Sequence, residues 1–246
     1  SLHDALPISG AVGAHRLARD LRERALEHVL HGAAMGLALP AAEGVAGVFE
    51  AEHDAPHARL HHSSAPKSAP DIELLARHNC SVAHCPTSNM KLASGIAPIP
   101  RLLEAGIRVG LGTDGAASNN RLDLFQEMRH AALLAKVGSL DASAVPAHAA
   151  LHMATLGGAD ALGMADRIGS IEPGKAADLC AVDLGGLHCR PCFDPISHLV
   201  YVAGRENVSH VWVNGETRVD KGVQLLHIRD SELLRIASVW QTRFGN

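Results

Sequence analysis

Asp114 stands just past an apolar run. Residues 107–111 (IRVGL) read as a buried strand, and the chain then passes through Gly112, Thr113, Asp114 and Gly115 into the small, polar stretch 116–120 (AASNN). A carboxylate at a strand end, flanked by residues too small to block approach, suits metal ligation or acid–base work. It equally suits a helix cap or a turn brace, and spacing alone does not separate these uses. His84 ends a second strand-like run, 80–84 (CSVAH), with Ser88 and Asn89 in the polar stretch that follows. An imidazole there is a proton carrier, or an ordinary, partly buried histidine. Parallel α/β sheets gather ligands at the carboxyl ends of their strands, so His84 and Asp114 are expected on one rim.

Other reactive groups are less informative. Cys189 and Cys192 form a C-x-x-C beside His188, but no second pair stands at zinc-ribbon spacing. His148 and His152 share a helix face, yet Ala149 occupies the position where H-E-x-x-H requires Glu. Gly174-Lys175 lacks the upstream glycine of a phosphate loop.

The elements that would carry Asp114 and His84 begin at Asp71. Residues 71–78 read as a helix capped by Asp71, and 85–97 as a polar loop. Residues 98–105 form a second helix, stopped by Gly106 before strand 107–111. Strand, helix, strand at this spacing is the unit of a parallel sheet. An amphipathic helix over 120–137 turns Leu122, Phe125, Met128 and Ala132 inward, with residues 118–120 as its cap. Two more helices are expected near 144–155 and 157–163. Beyond Asp166 the texture becomes β-rich. Strands are expected at 168–171 and 178–183, and a hairpin joins 208–213 to 217–219 through Asn214-Gly215. A helix over 194–203 lies between them, and a last helix begins at Asp230.

Residues 1–70 differ in kind. They contain no Thr, Asn, Gln, Cys, Tyr or Trp, and they hold eight of the 17 histidines. A helix fits residues 16–30, but 55–70 (APHARLHHSSAPKSAP) has no period of 2 or 3.6. Two readings stand: an Ala-rich, disordered extension, or a stretch misread from its coding frame, since GC-rich DNA read out of frame yields Ala, Arg, His and Pro. The resulting division is 1–70 unassigned, 71–165 α/β, 166–229 mostly β, and 230–246 helical.

Composition narrows the function. The net charge is −4 with no basic run, which argues against nucleic acid as a partner. No apolar run reaches the ~20 residues of a membrane span, and no secretion signal is evident. Five unevenly spaced cysteines do not read as a disulfide framework, consistent with a cytoplasmic protein.

Residues 84–120 (HCPTSNMKLASGIAPIPRLLEAGIRVGLGTDGAASNN) resemble the final barrel strands of the amidohydrolase superfamily. The likeness is closest to the branch of methylthioadenosine/S-adenosylhomocysteine deaminases and triazine chlorohydrolases. Residues 153–184 resemble that branch's link from barrel to β-sandwich, and 194–201 and 208–216 continue it. The resemblance implies an α/β fold, the C-terminal part of a TIM-like (β/α)8 metal-dependent hydrolase barrel plus part of a small β-sandwich. It implies a divalent metal, zinc or iron, whose bound water attacks a ring carbon with loss of ammonia. It makes Asp114 a metal ligand and the catalytic base, places His84, Ser88 and Asn89 with Asp114 around a small nucleoside-like substrate, and implies a homodimer. A chlorohydrolase, a guanine-type deaminase or a non-catalytic remnant are the alternative readings.

The same resemblance calls for H-x-H after the first strand, H-x-x-E at the fifth and a His after the sixth. The chain contains neither of the first two patterns. His61 and His62 lie near the sixth-strand position, but no apolar strand is expected before them. One carboxylate does not hold a catalytic zinc, which takes about three protein ligands. The chain by itself is therefore expected to lack a complete metal site and to have little activity.

Overall fold

The computed structural model describes residues 48–50, 59–62, 68–225 and 228–244. The expected helix over 16–30 lies outside the described residues. Two sheets carry the fold. In the first, β1 (Val48–Glu50) pairs antiparallel with β2 (Arg59–His62), and β2, β3 (Ser81–His84) and β4 (Arg108–Leu111) run parallel in that order. In the second, β5 (Leu179–Val182), β6 (Val208–Val213), β7 (Glu216–Asp220) and β8 (Val223–Gln224) pair antiparallel in sequence order.

β2 corrects the expectation that no strand leads into His61 and His62. Residues 59–62 (RLHH) show no alternation, yet Leu60, His61 and His62 register against Ser81, Val82 and Ala83. Pairing with β3 satisfies the backbone there, and context of this kind overrides local pattern in strands.

Helix α1 (Ala69–Arg77) connects β2 to β3. Its N-cap is Ser68 rather than Asp71. Ser68 Oγ accepts from Asp71 N at 3.3 Å, and the Asp71 carboxylate accepts from Ser68 N at 3.2 Å, a capping box in which Asp71 is the third helical residue. A second correction falls between β3 and β4. Residues 86–91, expected as loop, form helix α2 (Pro86–Lys91), started by proline at its first position, and α3 (Ile99–Glu104) follows. Gly106, at φ +72°, turns the chain into β4.

Helix α4 (Leu124–Ser139) begins later than expected because Asp123 caps it, accepting from Phe125 N at 3.1 Å and Gln126 N at 3.4 Å. Leu122 therefore lies outside the helix, at φ +50° and half exposed, while Phe125, Met128 and Ala132 are buried as expected. Helix α5 (Ala147–Ala154) packs beside it, and α6 (Leu156–Ala161) packs on α5 and on β4. Gly110 of β4 faces Gly158 of α6 so closely that a Cβ at 110 would lie 2.9 Å from Gly158 Cα. The core between sheet and helices is Val82, Val109, Leu111, Ile99, Leu102, Met128 and Met153 with small alanines.

Helix α7 (Pro195–Tyr201), capped by Asp194, docks on this body through Arg129, which donates to Val200 O at 3.2 Å and Ala203 O at 2.8 Å. The expected hairpin is present, with Asn214 at φ +49° and Gly215 at φ +79°, the signs of a type I′ turn. Residues 168–171 form no strand, a correction to their reading from composition. Helix α8 (Asp230–Phe244) buries none of its residues.

Candidate active site

Asp114 lies three residues past the end of β4, and His84 is the last residue of β3; the backbone joins these ends, His84 O accepting from Gly112 N at 3.0 Å. Asp114 sits at φ +61°, a region Asp tolerates better than most residues but still at a cost. Local bonds hold it there. Gly115 N donates to Oδ1 at 2.8 Å, and Thr113 Oγ1 donates to the Asp114 carbonyl at 3.0 Å. Two hydroxyls complete the cradle at Oδ2: Ser88 Oγ at 2.7 Å from α2 and Ser118 Oγ at 2.5 Å from the loop after β4. Charge-assisted bonds from three directions fix the carboxylate plane.

Ser88 is thus brought against Asp114, and at 1% exposure its hydroxyl orients the carboxylate. Asn89 is buried beside it in the same short helix. His84 is 3% exposed, and its Nδ1 has no hydrogen-bond partner among the described residues. Burial holds this imidazole neutral, its pKa pushed down to about 4. A neutral ring with an unspent nitrogen at the rim is equipped to orient a polar substrate edge. Cys85 follows it, but burial, reinforced by the nearby Asp114 charge, pushes its thiol up to about 12, so it is no nucleophile.

Three residues of this shell escaped the sequence reading. Ser118 and Asn119 were expected as helix caps; Ser118 instead serves Asp114, while Asn119 Oδ1 accepts from Arg121 N at 3.3 Å and Leu122 N at 3.1 Å, ahead of the helix. Glu127 is fully buried and accepts from Thr87 N at 3.0 Å and Asn119 Nδ2 at 2.7 Å. Its signal was a carboxylate at the edge of the apolar stripe, beside Met128 and one turn before Ala131. Burial raises its carboxyl pKa above the usual range.

A divalent metal finds one suitable donor here. The oriented, partly buried carboxylate of Asp114 fits one position of a mixed His/Asp ligand set, with Ser88, Ser118 and Gly115 as its outer support. Among the described residues no cluster of three or more His, Cys, Asp or Glu completes such a set. Cys189-x-x-Cys192 forms none either, and both thiols are free. His61 and His62, near the expected sixth-strand ligand position, are the last two residues of β2.

The amidohydrolase family profile matches residues 27–218. A 5-methylthioadenosine/S-adenosylhomocysteine deaminase of Teredinibacter turnerae is 48% identical over 178 residues, spanning 72% of this chain and 40% of the relative. A solved adenosine deaminase from Xanthomonas campestris with bound zinc superposes with a TM-score of 0.71 at 45% identity, over 75% of this chain and 41% of that one. Atrazine chlorohydrolase from Arthrobacter aurescens, complexed with zinc, superposes with a TM-score of 0.65 at 30% identity, over 74% and 40%. The chain spans about two fifths of the length of the curated relatives it matches. These likenesses make the parallel sheet part of a TIM-like barrel.

Proposed function

The chain belongs to the amidohydrolase family, and on that premise we infer that it is the Asp114-bearing, C-terminal portion of a metal-dependent aminohydrolase acting on an adenosine-type thioether nucleoside. The observation that carries this reading is the cradled Asp114 at the carboxyl end of β4, held by Ser88, Ser118 and Gly115.

When bound, a zinc ion supplies a water acidic enough to lose a proton near neutral pH. Asp114 would hold that metal and carry a proton from the attacking water to the departing amine, so that water would add at C6 of the adenine ring, the C6–N bond would break, and nitrogen would leave as ammonia. Ser88 and Ser118 keep the carboxylate in one orientation throughout. His84 and Asn89 line the rim, with the neutral His84 ring orienting the purine edge. The upstream ligand histidines come from barrel strands before β2, and His61 and His62 are the candidates by position for the sixth-strand ligand. The division into barrel (71–165, extended back to β2), sandwich (166–229) and closing helix (230–246), iron as an alternative metal, a homodimer and a cytoplasmic location belong to the same reading.

The test is a chimera. Residues 59–246 replace the matching segment of a 5-methylthioadenosine/S-adenosylhomocysteine deaminase, and ammonia release is measured with both thioether nucleosides. Turnover that Asp114→Ala reduces by more than about 10³-fold is expected, the loss typical for a group that moves a proton and holds the metal. A folded, zinc-loaded chimera silent on both nucleosides overturns the substrate. The likeness to atrazine chlorohydrolase favours a second reading, ring dechlorination, in which the same chimera releases chloride from a chlorotriazine.

A further inference from the structure

Glu127 is a fully buried carboxylate on α4, an element that carries none of the rim residues. Burying a carboxylate costs free energy unless its oxygens are satisfied. An apolar residue would have extended the buried stripe at no such cost. Both oxygens are satisfied, by donors from two different segments. Oε2 accepts from Thr87 N in the first turn of α2, and Oε1 accepts from Asn119 Nδ2 in the loop after β4.

The neighbours of those two donors matter most. Ser88 follows Thr87, and Ser118 precedes Asn119; each serine hydroxyl donates to Asp114 Oδ2. A closed circuit results, from Glu127 through Thr87 and Ser88 to Asp114, and back through Ser118 and Asn119. Cys85, the N-cap of α2, makes no side-chain cap bond, so Thr87 N depends on Glu127 for its acceptor. On the outer side Lys91 Nζ ties the same two segments, donating to Ala117 O at 2.7 Å and Asn120 Oδ1 at 2.8 Å.

We propose that Glu127 is a positioning residue for Asp114: it clamps α2 to the loop after β4, so that the hydroxyls of Ser88 and Ser118 converge on one carboxylate oxygen. Its consequence for turnover rests on the proposed function; its geometric content rests on these contacts alone. The conservative variant separates a carboxylate clamp from a mere space-filler. Gln has the same shape, but its NH2 cannot accept, so one of the two donors loses its partner.

The experiment is residue-resolved amide hydrogen exchange on the full 246-residue chain by NMR, with Gly115 N–H as reporter because it donates to Asp114 Oδ1. Met153→Ala, a buried substitution in α5, is the control, compared at equal global stability. Glu127→Ala is expected to accelerate Gly115 roughly tenfold beyond the control, the loss of about one charge-assisted hydrogen bond. Glu127→Gln is expected to give a smaller excess at Gly115, and it carries the test if the Ala variant does not fold. An excess acceleration absent from both variants overturns the proposal. A wild-type chimera silent on both nucleosides and on the chlorotriazine, with accelerated Gly115 exchange in the Glu127 variants, removes the enzymatic reading and leaves the clamp standing. An active chimera with Gly115 unchanged removes the clamp and leaves the enzyme.

Discussion

His84 shows what burial does to one residue. Its ring is enclosed at the end of β3 with Nδ1 unpartnered among the described residues, and desolvation brings its pKa to about 4 from an ordinary 6.5. Between those values the unfolded chain binds the proton and the folded chain does not. Stability therefore rises with pH through this window and is complete above about 6.5. The displacement corresponds to about 3 kcal/mol. Glu127 acts in the opposite sense. Its raised carboxyl favours folding at low pH, an advantage lost as pH rises through its folded pKa. Comparing wild type with His84→Asn isolates the histidine: urea unfolding from pH 4 to 7 is expected to show a steeper rise in stability for wild type. Equal slopes would mean that folding does not lower the His84 pKa. Asp114 teaches the complementary lesson. Its type and place at a strand end are plain from the sequence, but the two hydroxyls that orient it come from segments 26 residues and 4 residues away.

At the scale of elements, the site depends on how closely β4 sits against α6. Gly110 is small because Gly158 Cα occupies the space its Cβ would take, at 2.9 Å. Gly110→Ala must push α6 from the sheet or bend β4, which carries Asp114. Overpacking of this kind costs about 1–3 kcal/mol, readable as a shift in urea midpoint. Gly106→Ala offers a contrast. Nothing lies within 4 Å of its Cβ position, so any cost there comes from φ +72° alone. A larger loss at 106 than at 110 would refute the close-packing account. The same scale holds the misreadings of α2 and β2. Short helices and strands have weak local signatures, and α2 forms because Glu127 satisfies its first turn from another element.

For the whole molecule the central fact is coverage. The amidohydrolase match runs over residues 27–218, whereas the relative from Teredinibacter turnerae is covered over only 40% of its length. Among the described residues, three parallel strands with one antiparallel neighbour make an open sheet, whose edges a closed barrel would pair. Large apolar side chains remain exposed, among them Leu140, Ile171, Leu187 and Phe193, and α8 buries nothing. No H-x-H occurs in the sequence, and no three-ligand cluster occurs among the described residues. After dialysis the chain alone is expected to hold well under one zinc per molecule by elemental analysis, and the zinc-loaded chimera about one. A full equivalent on the chain alone would show that its ligand set is complete without upstream strands.

The sequence by itself determined the family, the parallel strand pair β3–β4, the Asn-Gly hairpin, the helical core and the rim position of Asp114. Each of these is written in local pattern: apolar periodicity, glycine and proline punctuation, and a motif whose residues are consecutive. Only the tertiary structure decided that β2 is a strand, that Ser88 and Ser118 meet on one carboxylate oxygen, and that Glu127 joins their segments. Those facts join separate segments of the chain, and such contacts exist only once the elements have packed.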